Sequence, residues 1–195
     1  MPLQTGYGKR KEGKAMAKAR EIFGYEKPKY APLKEPAKRV VMAYQTAQRF
    51  CDTVQEWVYI EAAMPFTSRM IHDLAHSFAQ RFDEFSDMLH ERHLMTIYGA
   101  TPELVEPIED MDKAFEIVVG VMDEIQDALE DFRNATDNAD FRPMALKTEE
   151  LMLRNSEEYT RFIAAWFMWD ESESRTSFDN WIEHLKAGGA DNEQI

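Results

Sequence analysis

A single cysteine, Cys51, occurs in 195 residues, so no disulfide can form within the chain. Its apolar helical position reads as a buried thiol rather than a reactive one. Glycine and proline are scarce, eight of each, and four of each fall within residues 1–36. With so few breakers and an interior rich in Met, Ala, Leu, Glu and Phe, the rest of the chain reads as an all-α domain. No run of eighteen apolar residues free of charge is present, which argues against a membrane-spanning helix, and the first residues carry Lys and Glu where a signal peptide needs an apolar stretch. The expectation is a cytoplasmic protein. Without a Gly-rich strand-to-helix turn or a second cysteine, there is no phosphate loop and no zinc finger, and no pattern supports nucleophilic catalysis.

What is present is charge, unevenly placed. The net charge is −13, yet residues 1–39 hold eleven Lys and Arg against four Glu, a local +7, which leaves −20 on the remainder. Residues 1–36 read as a mobile basic arm, with Lys9, Arg10, Lys11, Lys14, Lys18 and Arg20 as candidate contacts to a polyanion. A solvated tail is the competing reading of such a segment.

Beyond the arm, apolar spacing predicts four long helices. The first spans 37–63 (Val40, Val41, Tyr44, Ala47, Phe50, Cys51, Val54, Val58) and stops before Pro65. The second spans 68–95, with Thr67 as N-cap and Ile71, Leu74, Phe78, Phe82, Phe85 and Leu89 as its apolar ridge. Gly99 then signals a stop, and Thr101-Pro102 starts a short helix at 102–108. A third long helix covers 110–134, a fourth 144–170, and a last short one 178–186. The prediction is a four-helix bundle over 37–171 with a long second-to-third crossover, followed by a C-terminal helix and tail at 172–195. "FIAAWFMWD" near the end of the fourth helix is expected to be core or subunit contact.

The second helix carries two histidines four apart, His72 and His76, and two acids four apart, Asp87 and Glu91. At 100° per residue, all four fall on one stripe. At 1.5 Å per residue, however, His72 and Asp87 lie about 22 Å apart, beyond the reach of one ion. A single chain cannot close such a site. Two antiparallel copies of the helix about a two-fold axis level with residues 81 and 82 would set each His pair against the partner's acids, giving two equivalent sites. Imidazole with carboxylate suits Fe(II) or Zn(II). The competing reading makes the four residues a solvated or interface face without metal. Asp83, on the same stripe near the axis, is not assigned as a ligand; His90 and His93 are expected at the surface, and His184 lies beyond the bundle.

The stretch "IHDLAHSFAQRFDEFSDMLHERHLMTIYGATP" resembles the second helix of the Dps-type mini-ferritins, with His72, Asp87, Glu91, Arg92, Gly99 and Pro102 at the matching positions. The similarity extends over residues 37–171, and a basic arm before the first helix is a family habit. The resemblance implies a ferritin-like four-helix bundle assembled from two-fold dimers into a hollow dodecamer. It also implies oxidation of Fe(II) by peroxide or oxygen at sites shared between subunits, storage of ferric iron, and DNA binding through the arms. Two positions depart from the family. His76 stands where an acid is usual, which opens the site to zinc, and Ile60 replaces the His that the first helix normally contributes. Glu61, next to it, is the substitute ligand if the turn shifts by one residue. The expected function is therefore an iron-oxidising, iron-storing protein that protects DNA. The alternative is a shell that has lost fast oxidation and acts as a DNA-binding or structural assembly.

Overall fold

Apolar residues recurring at intervals of three and four give a segment one apolar face as a helix and none as a strand, so burying that face decides both local conformation and packing. The structure, a computed structural model, describes residues 24–25, 27–104 and 107–190, with side chains as far as Leu185. Among the described residues the chain is all-helical. Five helices follow in order: α1 (Lys34–Ile60), α2 (Pro65–His90), α3 (Met111–Ala135), α4 (Arg142–Asp170) and α5 (Arg175–Ala190), with single 3-10 turns at Ala31–Leu33 and Ala139–Phe141. The basic residues proposed for DNA contact, Lys9, Arg10, Lys11, Lys14, Lys18 and Arg20, lie outside the described residues.

The four long helices share one core. α1 packs on α2 and on α3, and α3 packs on α4; α2 and α4 approach more loosely and are joined mainly by side chains. Cross-links fix the directions. Arg39 near the start of α1 binds Glu124 at 3.1 Å and also binds Asp131 near the end of α3, so those helices are antiparallel. Ser77 of α2 donates to Glu158 of α4, and Arg154 binds Glu84, so these two are antiparallel as well. Every neighbouring pair therefore runs in opposite directions, which requires the chain to retrace the length of the assembly between α2 and α3.

That return falls on residues 91–110, and the described part of it is not helical. The short helix expected at 102–108 is therefore corrected: residues 102–104 and 107–108 are irregular. The reason is reach. At 1.5 Å per residue the 25 residues of α3 are about 37 Å long. A connection of this length covers that distance only if it is drawn out well beyond helical rise. It runs along α1, where Arg49 donates to Thr101 at 3.3 Å and Met42 presses on Gly99. A Cβ at Gly99 would stand 2.5 Å from the Met42 sulfur, so a larger residue there would turn the Met42 side chain aside, and no helix ends at this glycine.

Boundaries differ at the ends. α1 begins at Lys34, and Leu33 and Tyr25 are already buried, so the packed body starts before residue 37. α2 begins at Pro65 and stops at His90, five residues short of the predicted end. The ridge residues otherwise behave as their spacing predicts: Ile71, Leu74, Phe78, Phe85 and Leu89 are buried, and Phe82 partly so. Cys51 is fully buried, and burial pushes its thiol pKa up.

Thr67 is not the N-cap of α2. Met64 occupies that position and has no side-chain oxygen to offer. The first amides are instead satisfied from α5: Asp179 accepts from Thr67 N at 2.7 Å, from Thr67 Oγ1 at 2.8 Å and from Phe66 N at 3.3 Å. Next to it, Phe178 and Ile182 are fully buried, and the Phe178 ring meets Phe115, Trp169 and Trp181. "FIAAWFMWD" accordingly divides, with Phe162 and Ala165 in the core and Phe167 and Met168 exposed.

Candidate metal-binding face on α2

Burial of Ile71, Leu74, Ala75, Phe78, Phe85 and Leu89 on one side of α2 turns the opposite side to solvent, and that side carries His72, His76, Gln80, Asp83, Asp87 and Glu91. All six are exposed. The structure brings together the two histidines: their Nε2 atoms are 3.0 Å apart, with the rings edge to face. One nitrogen donates and the other accepts, or both lone pairs turn toward a common ion.

Asp87 and Glu91 sit at the C-terminal end of the same stripe. Glu91 closes the helix, its N–H donating to Asp87 O at 2.9 Å. α2 runs unbroken from Pro65 to His90, so the separation of about 22 Å along its axis stands. Among the described residues, no group of three or more His, Cys, Asp or Glu side chains of one chain gathers as a metal site. Glu61 caps the end of α1, its N–H bonded to Trp57 O at 2.8 Å, and its side chain is exposed. Ile60 is also exposed, at 60%. An isoleucine with that much surface is not held there by the core.

His90 and His93 are exposed, as their positions suggest, and so is His184; His90 Nε2 lies 3.2 Å from Thr96 Oγ1. Among the described residues no helix is long and apolar enough to cross a membrane.

Beneath the face lies an arrangement that sequence reasoning missed. Arg81 points inward, its side chain only 5% exposed, and its Nη2 meets Glu158 Oε1 at 2.5 Å. Ser77 donates to the same carboxylate at 3.0 Å. One turn on, Arg154 forks onto Glu84, and Lys147 Nζ lies 2.9 Å from its Oε2. The Arg154 hydrogen bonds, followed by those from Lys147, hold the Glu84 carboxyl at about 2, well below the usual carboxylate range. This ladder ties α2 to α4 where their backbones stand apart. The signal was an arginine falling on the apolar ridge between Phe78 and Phe85, a position that needs a buried partner.

No family model matches the chain, and no curated protein matches it.

Proposed function

We propose that the protein is a Dps-like mini-ferritin, a ferritin-like four-helix bundle that oxidises Fe(II) at sites shared between two chains and stores the ferric product, protecting DNA. The observation that carries this reading is the single exposed stripe of α2, with a histidine pair at one end and a carboxylate pair at the other. A two-fold axis level with residues 81 and 82 would pair His72 with the partner subunit's Glu91 and His76 with the partner subunit's Asp87, and would bring Gln80 opposite the partner's Asp83, an amide facing a carboxylate. The packing of α1 to α4, with each neighbour antiparallel and a long return between α2 and α3, is the arrangement a ferritin-like bundle requires.

Fe(II) is substrate here, not a resident cofactor. Imidazoles of one chain and carboxylates of the other offer the mixed donor set that suits it, and the acidic body, −20 outside residues 1–39, raises the local cation concentration. Two Fe(II) ions each lose one electron, and hydrogen peroxide takes both with two protons to leave two waters. Assembly into a dodecamer, use of zinc at the same ligands and DNA binding by the basic arm belong to this proposal.

Ile60 favours a second reading, in which the shell has lost fast oxidation and serves as a DNA-binding or structural assembly. One experiment separates the two. Fe(II) and peroxide are added without oxygen, and ferric absorbance is followed through size-exclusion chromatography. Ferric absorbance eluting with a particle of about twelve chains supports the mini-ferritin. An iron-free particle of that size supports the second reading, and a small particle defeats both.

A further inference from the structure

His72 and His76 are one helical turn apart on a rigid element, since Ile71, Leu74, Ala75 and Phe78 between and beside them are buried. Their Nε2 atoms stand 3.0 Å from each other. With the metal–nitrogen bonds of about 2.0–2.1 Å that imidazoles form, a 3.0 Å span subtends about 91–97° at a shared ion. A tetrahedral ion, with angles of about 109°, needs a span of about 3.3 Å at the same bond length. The pair therefore spans two adjacent corners of a square, tetragonal or octahedral ion rather than of a tetrahedral one, and among such divalent ions Cu(II) binds nitrogen donors most strongly. Both side chains are exposed, so water can fill the other positions.

We propose that His72 and His76 of one chain form a chelating site for a tetragonal late divalent metal, Cu(II) above all, complete without carboxylates from a second chain. The proposal rests on the reading of these two histidines as metal ligands but not on the dimer. It also gives His76 a consequence. Exchanging a carboxylate for a second imidazole moves the donor set from one suited to iron toward one suited to copper, and Cu(II) already leads the divalent affinity order. Copper then competes with Fe(II) for this face.

The test titrates the full-length protein with Cu(II), read by calorimetry and by the nitrogen hyperfine pattern in electron paramagnetic resonance. The variants are His72→Gln, His76→Gln and the double variant Asp87→Ala/Glu91→Ala. The expected result is one Cu(II) per chain bound through two equivalent nitrogens. Affinity falls at least about tenfold in His76→Gln, the low end of what disturbing even an outer partner of a ligand costs. The double variant keeps the two-nitrogen pattern, and its Cu(II) affinity falls by less than that of His76→Gln. Co(II) reports geometry independently, with the weak visible spectrum of a six-coordinate ion expected.

Copper held through one nitrogen, equal loss in the double variant, or an intense four-coordinate Co(II) spectrum overturns the proposal. Fe(II) oxidation measured on the same preparations keeps the two readings apart. Oxidation without the copper chelate removes only the chelate, and the chelate without oxidation removes only the mini-ferritin.

Discussion

Asp179, in the last helix, caps the helix that begins at Pro65, more than a hundred residues earlier, with its Oδ1 2.7 Å from Thr67 N and 2.8 Å from Thr67 Oγ1. Met64 leaves the first turn of α2 without a local acceptor, and a carboxylate at a helix N-terminus both satisfies amides and complements the dipole. α5 is thereby tied to the turn that leads into His72 and His76. Asp179→Ala should cost about 1–2 kcal/mol of stability, the usual worth of an N-cap. Urea titration reads the loss. Hydrogen exchange should quicken first at Phe66 and Thr67, and unchanged exchange there would show that the cap is not what holds the turn.

Arg81 and Glu158 form the most enclosed ion pair among the described residues, with side chains 5% and 24% exposed. Removing one partner leaves a buried charge alone, so Glu158→Leu should destabilise by about 3 kcal/mol, within the range for broken buried pairs. Arg81→Met together with Glu158→Leu removes both charges, and the loss should be clearly smaller than that of Glu158→Leu alone. Denaturation of the four proteins of the cycle gives the coupling. Additive losses would mean that the pair contributes nothing as a pair.

These two contacts mark where the sequence stops being legible. Periodicity alone located the core of α1 to α4, because Val40, Ile71, Val118 and their neighbours at helical spacing can be buried together in only one way. It also put His72, His76, Asp87 and Glu91 on one exposed face. The Thr67 cap failed because a local rule was applied to a helix whose acceptor comes from α5. The short helix at 102–108 failed because its turn residues were read without the distance the connection must span. The charge of Arg81 suggests solvent, while its place on the ridge requires burial. Each time the tertiary setting, whether a partner or a distance to be spanned, overrides a local preference.

Glu84 should make stability depend on acid. Its folded pKa of about 2 lies below its unfolded value, so its contribution is fully present above the unfolded carboxylate range and fades as pH falls toward 2. Glu84→Gln should lower stability at neutral pH, and the variant should then lose less than the wild type between about pH 5 and about pH 2. Thermal midpoints at several pH values check this. Parallel pH profiles for the two proteins would remove Glu84 from the acid response.

Ala63, in the turn between α1 and α2, has φ of 55°, the left-handed region that L side chains avoid. The turn is held by Met64 N donating to Val58 O at 3.2 Å. Ala63→Gly relieves the steric cost but adds freedom to the unfolded chain, so a net gain of about 0.5–1 kcal/mol is expected. The urea midpoint should rise with the slope unchanged. A fall would mean that the alanine methyl contributes contacts worth more than the backbone cost.

Ile60→His tests the departure that weighs most on function. The resemblance to mini-ferritins implies a histidine at this position, and Ile60 is 60% exposed at the end of α1, so the exchange disturbs no packing. On the shared-site proposal an imidazole here would offer a third nitrogen ligand, which should raise the initial rate of ferric formation with peroxide by about tenfold or more, comparable to the effect of single changes around metal sites. The rate is read from ferric absorbance in stopped flow. Asp87→Ala/Glu91→Ala in the Ile60→His background should abolish the gain, because the ion is then held by one chain only. A gain that survives the loss of both carboxylates would place the oxidation somewhere other than the α2 stripe. No gain at all would mean that residue 60 does not face the histidine pair across the α1–α2 turn, and the shared-site reading would lose its best route to fast oxidation.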